Sequence, residues 1–248
     1  MIQLNTGGSR PNRSVGVSIP MTLIALTQLP KRLFAWGLAK ANAADPTSIK
    51  LTNCREHSNL ADLKRSLLGQ LQGTVLEIGP GAGANFAYYP TDLHWIGVEP
   101  NPFMHSYLRQ EATQRGFQTI ELYEGTAEDL PVNAGMADVV VSSHVLCSVS
   151  NLDRALREVQ RVLKLGGYLI FLEHVAADSC TWTRRIQEGV APLWKTLFDN
   201  CHPNRETLQA LEAAGFATLD YHHFQIPLPL VSPHIAGIAT MPQSSVES

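Results

Sequence analysis

Acidic side chains are missing from the first 44 residues. The first is Asp45, whereas Arg10, Arg13, Lys31, Arg32 and Lys40 all precede it. Charge is scarce throughout, at 17% of 248 residues with a net of −3. A chain that grips nucleic acid carries a basic excess, and its absence removes nucleic acid from the expected partners. Cysteine is sparse too. Cys54, Cys147, Cys180 and Cys201 form no C-x-x-C pair and show no zinc-ligand spacing. Neither a disulfide scaffold nor a metal centre is therefore expected, and the thiols read as reduced packing residues of an intracellular protein. No apolar run reaches the roughly 20 residues of a membrane-spanning helix. Residues 19–29 come nearest, and Pro30-Lys31-Arg32 interrupts them.

The length and an apolar fraction of 44% suit one α/β domain with a substantial core. Residues 1–44 stand apart from it. Positions 1–18 are rich in Ser, Asn and Gly and read as disordered. Three readings compete for the rest of this segment. It is a leader helix packed on the domain, a basic and apolar surface that touches a membrane through residues 19–40, or an organelle-targeting peptide with a weak cleavage pattern at Asn42-Ala43-Ala44. The expected location is the cytoplasm or a membrane periphery, with an organelle left open. The domain itself runs over 45–241, with an insertion at 176–203, and 242–248 form a tail.

Within the domain, Ser58 is positioned to cap a helix whose Leu60, Leu63, Leu67, Leu68 and Leu71 recur near helical spacing. Short β-branched runs then alternate with helices. Strands are predicted at 74–79, 94–99, 119–123, 137–142, 167–173, 218–224 and 234–240, and helices at 102–115, 152–163 and 205–214. Ser150 and Asp153 suggest a capping box before the second of these helices, and Gly166-Gly167 suggest its stop. The alternation predicts a parallel sheet covered on both faces. The insertion at 176–203, with Trp182, Trp194 and Phe198, has no readable period.

The first strand runs into Glu77-Ile78-Gly79-Pro80-Gly81-Ala82-Gly83. Glycines there permit a tight turn and close backbone approach to a ligand. The spacing is G-x-G-x-G, neither the dinucleotide G-x-G-x-x-G nor a P-loop with its G-K-[ST]. Glu77 would repel a pyrophosphate but suits a cation, such as the ammonium and sulfonium of S-adenosylmethionine. Glu99 ends the second strand, twenty residues beyond Gly79. There it can accept both hydroxyls of a ribose. The acidic turn Thr126-Ala127-Glu128 after the third strand can accept from an adenine amino group, and Ala127 leaves room for the ring. Ser143-His144 follow the fourth strand.

This series resembles the class I S-adenosylmethionine-dependent methyltransferases over about residues 71–239. The resemblance implies a Rossmann-like, mostly parallel seven-stranded sheet with helices on both faces and a reversed last strand. It implies S-adenosyl-L-methionine as cofactor, held by Glu77, Gly79, Pro80, Gly81, Gly83, Asn85, Glu99, Pro100, Asn101, Thr126, Ala127, Glu128, Ser143 and His144. Residues 83–86, Tyr89-Pro90, 99–102, 145–149, 171–177 with Thr181-Trp182, and 197–202 further resemble a methyltransferase-like family of alkyl-thiol S-methyltransferases. Its animal members begin with a long apolar anchor, whereas the apolar run here is interrupted.

The expected reaction is methyl transfer to a small-molecule acceptor, a thiol first. The alternatives are O- or C-methylation of a quinone-type or phenol-type lipid, and a binding module without turnover. Arsenite is set aside as an acceptor because the cysteines show no cluster in sequence. A thiol must lose its proton to attack well. His174 is the first candidate for the base, then His144, with His202 third. Glu173 reads equally as an orienting group or a structural carboxylate. Trp182, Trp194 and Phe198 read as an apolar lid or as core.

Overall fold

The computed structural model describes residues 31–37, 39–40 and 46–243. The expectations for residues 1–30, for the Asn42-Ala43-Ala44 pattern and for most of the tail lie outside the described residues. Seven strands form one sheet in the order β3-β2-β1-β4-β5-β7-β6. They are β1 (Thr74–Ile78), β2 (His94–Val98), β3 (Glu121–Tyr123), β4 (Ala137–Ser143), β5 (Leu163–His174), β6 (Thr218–Gln225) and β7 (Pro233–Thr240). β1 through β5 run parallel to one another, and β7 runs antiparallel to both β5 and β6. The mostly parallel sheet and its reversed last strand are as the sequence implies.

Five α-helices lie within residues 46–243: α1 (Leu60–Leu68), α2 (His105–Gln114), α3 (Leu152–Val162), α4 (Trp182–Leu197) and α5 (Thr207–Ala213). α3 shows why such segments fold as they do. Ala155, Leu156, Val159 and Val162 share one stripe and are buried against the sheet, within a core that includes Leu76, Val140 and Phe171. Each large apolar side chain buried in this way contributes roughly 1.5–3 kcal/mol.

Local sequence signals and the structure differ by a residue or more in three places. The cap of α1 is Asn59, whose side chain accepts from the Asp62 amide at 2.9 Å, and not Ser58. α3 is capped by Asn151, whose Oδ1 accepts from the Arg154 amide at 2.9 Å, so the Ser150–Asp153 box is not formed. Gly166 does not stop α3. The helix ends at Val162, β5 has already begun at Leu163, and the pairing with β4 jumps from Ala137↔Leu163 to Val139↔Tyr168. Gly166, at φ 72°, lies inside that irregularity.

The insertion is mainly helical. α4 carries Pro192 in its interior and leaves Trp182, Ile186, Leu193 and Leu197 exposed. Residues 31–37 and 39–40 are also helical. Ala35 is fully buried there against Ala82 and Met104, and the Arg32 guanidinium lies 5.3 Å from the centre of the Phe103 ring. Leu33 and Trp36 of this stretch remain exposed. Among the described residues, no helix is long and apolar enough to cross a membrane.

Candidate active site

The carboxyl ends of β1, β2, β4 and β5 open onto a cavity of about 710 Å³. In sheets of this kind ligands bind at that edge, where the strand order reverses. The first of its two ends is built by the glycine loop. Gly79 and Gly81 both sit at φ 57°, and a side chain at Gly79 would collide with Val145, 2.7 Å from the position of a Cβ. Glu99 is buried and bridges two loops. Its Oε2 accepts from the Gly81 amide and its Oε1 from the Asn101 amide, each at 2.9 Å. A carboxylate has about four acceptor sites, so one on each oxygen remains for the hydroxyls of a ribose. Burial raises the Glu99 carboxyl above its ordinary range, opposed by those two amides.

Glu77 is engaged more fully than its sequence reading suggests. Its carboxylate accepts from Asn85 Nδ2 at 2.7 Å, Tyr89 Oη at 3.0 Å and Trp95 Nε1 at 3.2 Å. Asn85 Oδ1 in turn accepts from Lys64 Nζ at 2.8 Å. Lys64 comes from α1, is buried, and lines the cavity beside Glu77. Burial lowers its ammonium to about 8, against the attraction of Glu77. This Lys64–Asn85–Glu77 chain offers both signs of charge to an amino acid end: an ammonium for its carboxylate and a carboxylate for its amine. Sequence reasoning missed Lys64, because a lysine among helical leucines reads as a solvated residue.

Pro80, Pro100, Asn101, Thr126, Ala127, Glu128 and Ser143 also line the cavity, as do Lys31 and Phe34 of the N-terminal segment. Glu128 has a structural duty as well. Its Oε1 accepts from the amides of Ser150 and Asn151 at 2.6 and 3.1 Å, at the start of α3. Gly83 does not line the cavity. At φ 87° it turns the chain where a side chain would meet the Phe86 ring.

The second end holds imidazoles and sulfur. His144 follows β4 in the left-handed region, at φ 59°, and faces the cavity. Its Nε2 lies 3.1 Å from His234 Nε2, and His234 Nδ1 lies 2.9 Å from the Ser232 carbonyl. Burial pushes His144 well below its ordinary value and His234 to about 4, so both rings are neutral near pH 7. The Ser232 carbonyl can only accept, which puts the His234 proton on Nδ1. His234 Nε2 must then accept from His144 Nε2–H, and the His144 lone pair is left on Nδ1.

His174, at the end of β5, is directed elsewhere. Its Nε2 lies 3.1 Å from Cys201 Sγ, and its Nδ1 is buried without a partner. Cys201 also accepts from the Trp194 indole at 3.4 Å, and its Sγ lies 3.9 Å from that of Cys147. Hydrogen bonds from Cys147, His174 and Trp194 favour the Cys201 thiolate and lower its pKa. The partner thiol of Cys147 is raised by donating to Cys201 and by burial. The absence of a cysteine cluster, which had set arsenite aside, thus does not hold in three dimensions. Residues 54 positions apart in sequence meet because the chain after α4 returns to the sheet edge.

His202 does not line the cavity. Burial, Arg205 and Lys195 lower it to about 4. Its contribution is the backbone amide, which donates to the Cys147 carbonyl at 2.9 Å and so pins Cys201 beside Cys147. Glu173 is a structural carboxylate. It is fully buried, and its Oε1 accepts from Ser142 Oγ and from the Val145 and Leu146 amides. Of the aromatic lid, Phe198 alone lines the cavity. Trp194 stacks on it with centroids 4.3 Å apart, and Trp182 is exposed.

The sequence of human thiol S-methyltransferase TMT1A is 41% identical over 195 residues, covering 74% of this chain and 80% of that protein. The chain belongs to the thiol S-methyltransferase family. Human thiol S-methyltransferase TMT1B is 34% identical over 240 residues, covering 90% of this chain and 98% of its own. A family profile described as a methyltransferase domain matches residues 76–171. Among solved structures, the [4+2]-cyclase SpnF superposes with a TM-score of 0.65 at 19% identity, over 88% of this chain and 96% of its own. A geranyl diphosphate methyltransferase in complex with its cofactor reaches 0.60 at 13% identity, over 73% and 83%. At these identities the two structures speak for the fold alone. The chain is an S-adenosylmethionine-dependent methyltransferase, and the Glu99 bridge, the glycine loop and the Lys64–Asn85–Glu77 chain fit that cofactor.

Proposed function

We propose that this enzyme methylates a small thiol. The observation that carries the reading is the second end of the cavity, where Cys147, Cys201, His144 and His174 gather beside the apolar Phe198 and Leu228. The family's printed activity supports it. S-adenosylmethionine supplies a methyl group already activated on a sulfonium sulfur, so the protein's tasks are alignment, exclusion of water and removal of a proton.

His144 is the better placed proton acceptor. It is neutral, its lone pair lies on Nδ1, and the hydrogen bond through His234 to the Ser232 carbonyl holds the ring in that tautomer. His174 has its Nε2 engaged by Cys201, so it acts on the acceptor through that sulfur.

Purified protein supplied with cofactor and propanethiol is expected to release S-adenosylhomocysteine and the methyl thioether, and to ignore catechol and a quinol. Product with the catechol or quinol alone would overturn the thiol reading. In the same assay His144→Asn, which tolerates the left-handed backbone, should lower kcat about 10²-fold, the low end of general-base effects. Binding of S-adenosylhomocysteine should not change. Unchanged turnover would remove His144 as the base.

A further inference from the structure

We infer that Cys147, His174 and Cys201 form a zinc site whose open fourth position receives the sulfur of the acceptor. The inference rests on the thiol reading above and adds a metal to it.

The two sulfurs and the imidazole nitrogen offer ligand atoms that all lie within 4.8 Å of one another. Tetrahedral zinc with Zn–S bonds of about 2.3 Å separates two sulfurs by about 3.8 Å, and the Sγ atoms here are 3.9 Å apart. Nε2 of His174 lies 3.1 Å from Cys201 Sγ. That edge must open by about half an ångström to accept a metal, a shift within the reach of side-chain torsions. Two thiolates and one imidazole with a vacant position are a donor set of catalytic rather than structural zinc. All three residues line the cavity, so the vacant position opens towards a bound acceptor. Trp194 Nε1 donates to Cys201 Sγ at 3.4 Å, the kind of outer contact that orients a ligating sulfur. The elements are fixed independently of any metal. His174 ends β5 in register with His234, and the His202 amide ties the Cys201 segment to the Cys147 carbonyl.

Loading the site breaks the Cys147 S–H bond, whose proton goes to solvent, and moves the His174 proton from Nε2 to Nδ1, so that two thiolates and a neutral imidazole face the metal. The acceptor's S–H bond then breaks as its sulfur joins the metal, and that proton passes to His144 Nδ1. A sulfur held beside two other thiolates on one zinc keeps enough electron density to attack. The arrangement also selects for acceptors, because hydroxyl oxygen is a poorer partner for a sulfur-rich zinc site.

The test uses the full chain, freed of metal by dialysis against a chelator and then loaded with Zn2+ or Co2+ alone. One zinc per chain is expected by elemental analysis, with at least a 10-fold loss of affinity in Cys147→Ser and Cys201→Ser. S-adenosylhomocysteine titration in each variant shows that the fold persists. The Co2+ form should display sulfur-to-metal charge-transfer absorption that strengthens when propanethiol is added. A second grouping, Cys54, His57 and His222, lies outside the cavity. Zinc lost in His222→Ala but kept in Cys147→Ser would overturn the assignment, as would the absence of stoichiometric metal. So would a Co2+ spectrum that propanethiol leaves unchanged. Metal-free protein that still methylates propanethiol at full rate would refute the zinc site while leaving the thiol reading intact.

Discussion

Glu99→Ala is expected to weaken S-adenosylhomocysteine binding by at least about 10²-fold, measured by calorimetric titration. Hydrogen bonds to a charged acceptor contribute roughly 1.5–3 kcal/mol each, and a ribose offers two hydroxyls. The loss has a second source. The same carboxylate joins the Gly81 and Asn101 amides, so its removal frees the glycine loop from the loop after β2. Glu99→Gln will not rescue binding. One carboxamide group is an N–H2, which would face a backbone N–H where an acceptor is needed. Retention of full affinity in Glu99→Ala would remove Glu99 from the ribose site.

Lys64→Met is expected to remove part of the pH dependence of cofactor binding. Burial lowers the Lys64 ammonium from 10.5 to about 8, so this charge is present below pH 8 and is lost above it. If the ammonium holds the carboxylate of the cofactor, affinity for S-adenosylhomocysteine should fall as pH rises from 7 to 9. The cofactor's own amine titrates in the same direction, so the variant is the control. The part due to Lys64 is the part that vanishes in Lys64→Met, where affinity at pH 7 should already be about 10-fold lower, the low side of a charge-assisted contact. Stability moves in the opposite sense. Between pH 8 and 10.5 the unfolded chain keeps a proton that the folded one has lost, so this group makes the fold more stable as pH rises through that window. A profile in which affinity falls identically in wild type and variant would assign Lys64 to the structure of Glu77 alone.

The sheet was legible because its strands are short apolar runs bounded by glycine, and because α3 shows a full apolar stripe. The glycine-loop end of the cavity was legible for a related reason: the residues that build it follow their strands directly, as Gly79 follows β1 and Glu99 follows β2. The cluster at the other end arises from tertiary proximity. Cys147 and Cys201 meet only once the segment after α4 is tied down by the His202 amide. His234 reaches His144 only through the antiparallel register of β7 on β5. α4 hid for another reason. It places Trp182, Ile186, Leu193 and Leu197 in solvent and contains Pro192, so neither a buried stripe nor an unbroken run marks it. Lys64 hid because its partner chain to Glu77 passes through Asn85, 21 positions away.

The helical residues 31–37 and 39–40 contribute Lys31 and Phe34 to the cavity wall, and the Lys31 carbonyl accepts from Asn101 Nδ2 at 3.1 Å. These two residues lie outside the motif series that supplies the rest of that wall. Inhibitors that mimic the cofactor usually suffer from poor discrimination, since that series recurs in many enzymes. A cofactor analogue extended towards Lys31 and Phe34 would meet a surface drawn from a different stretch of chain. Selectivity against other methyltransferases would then come from the segment the sheet does not need.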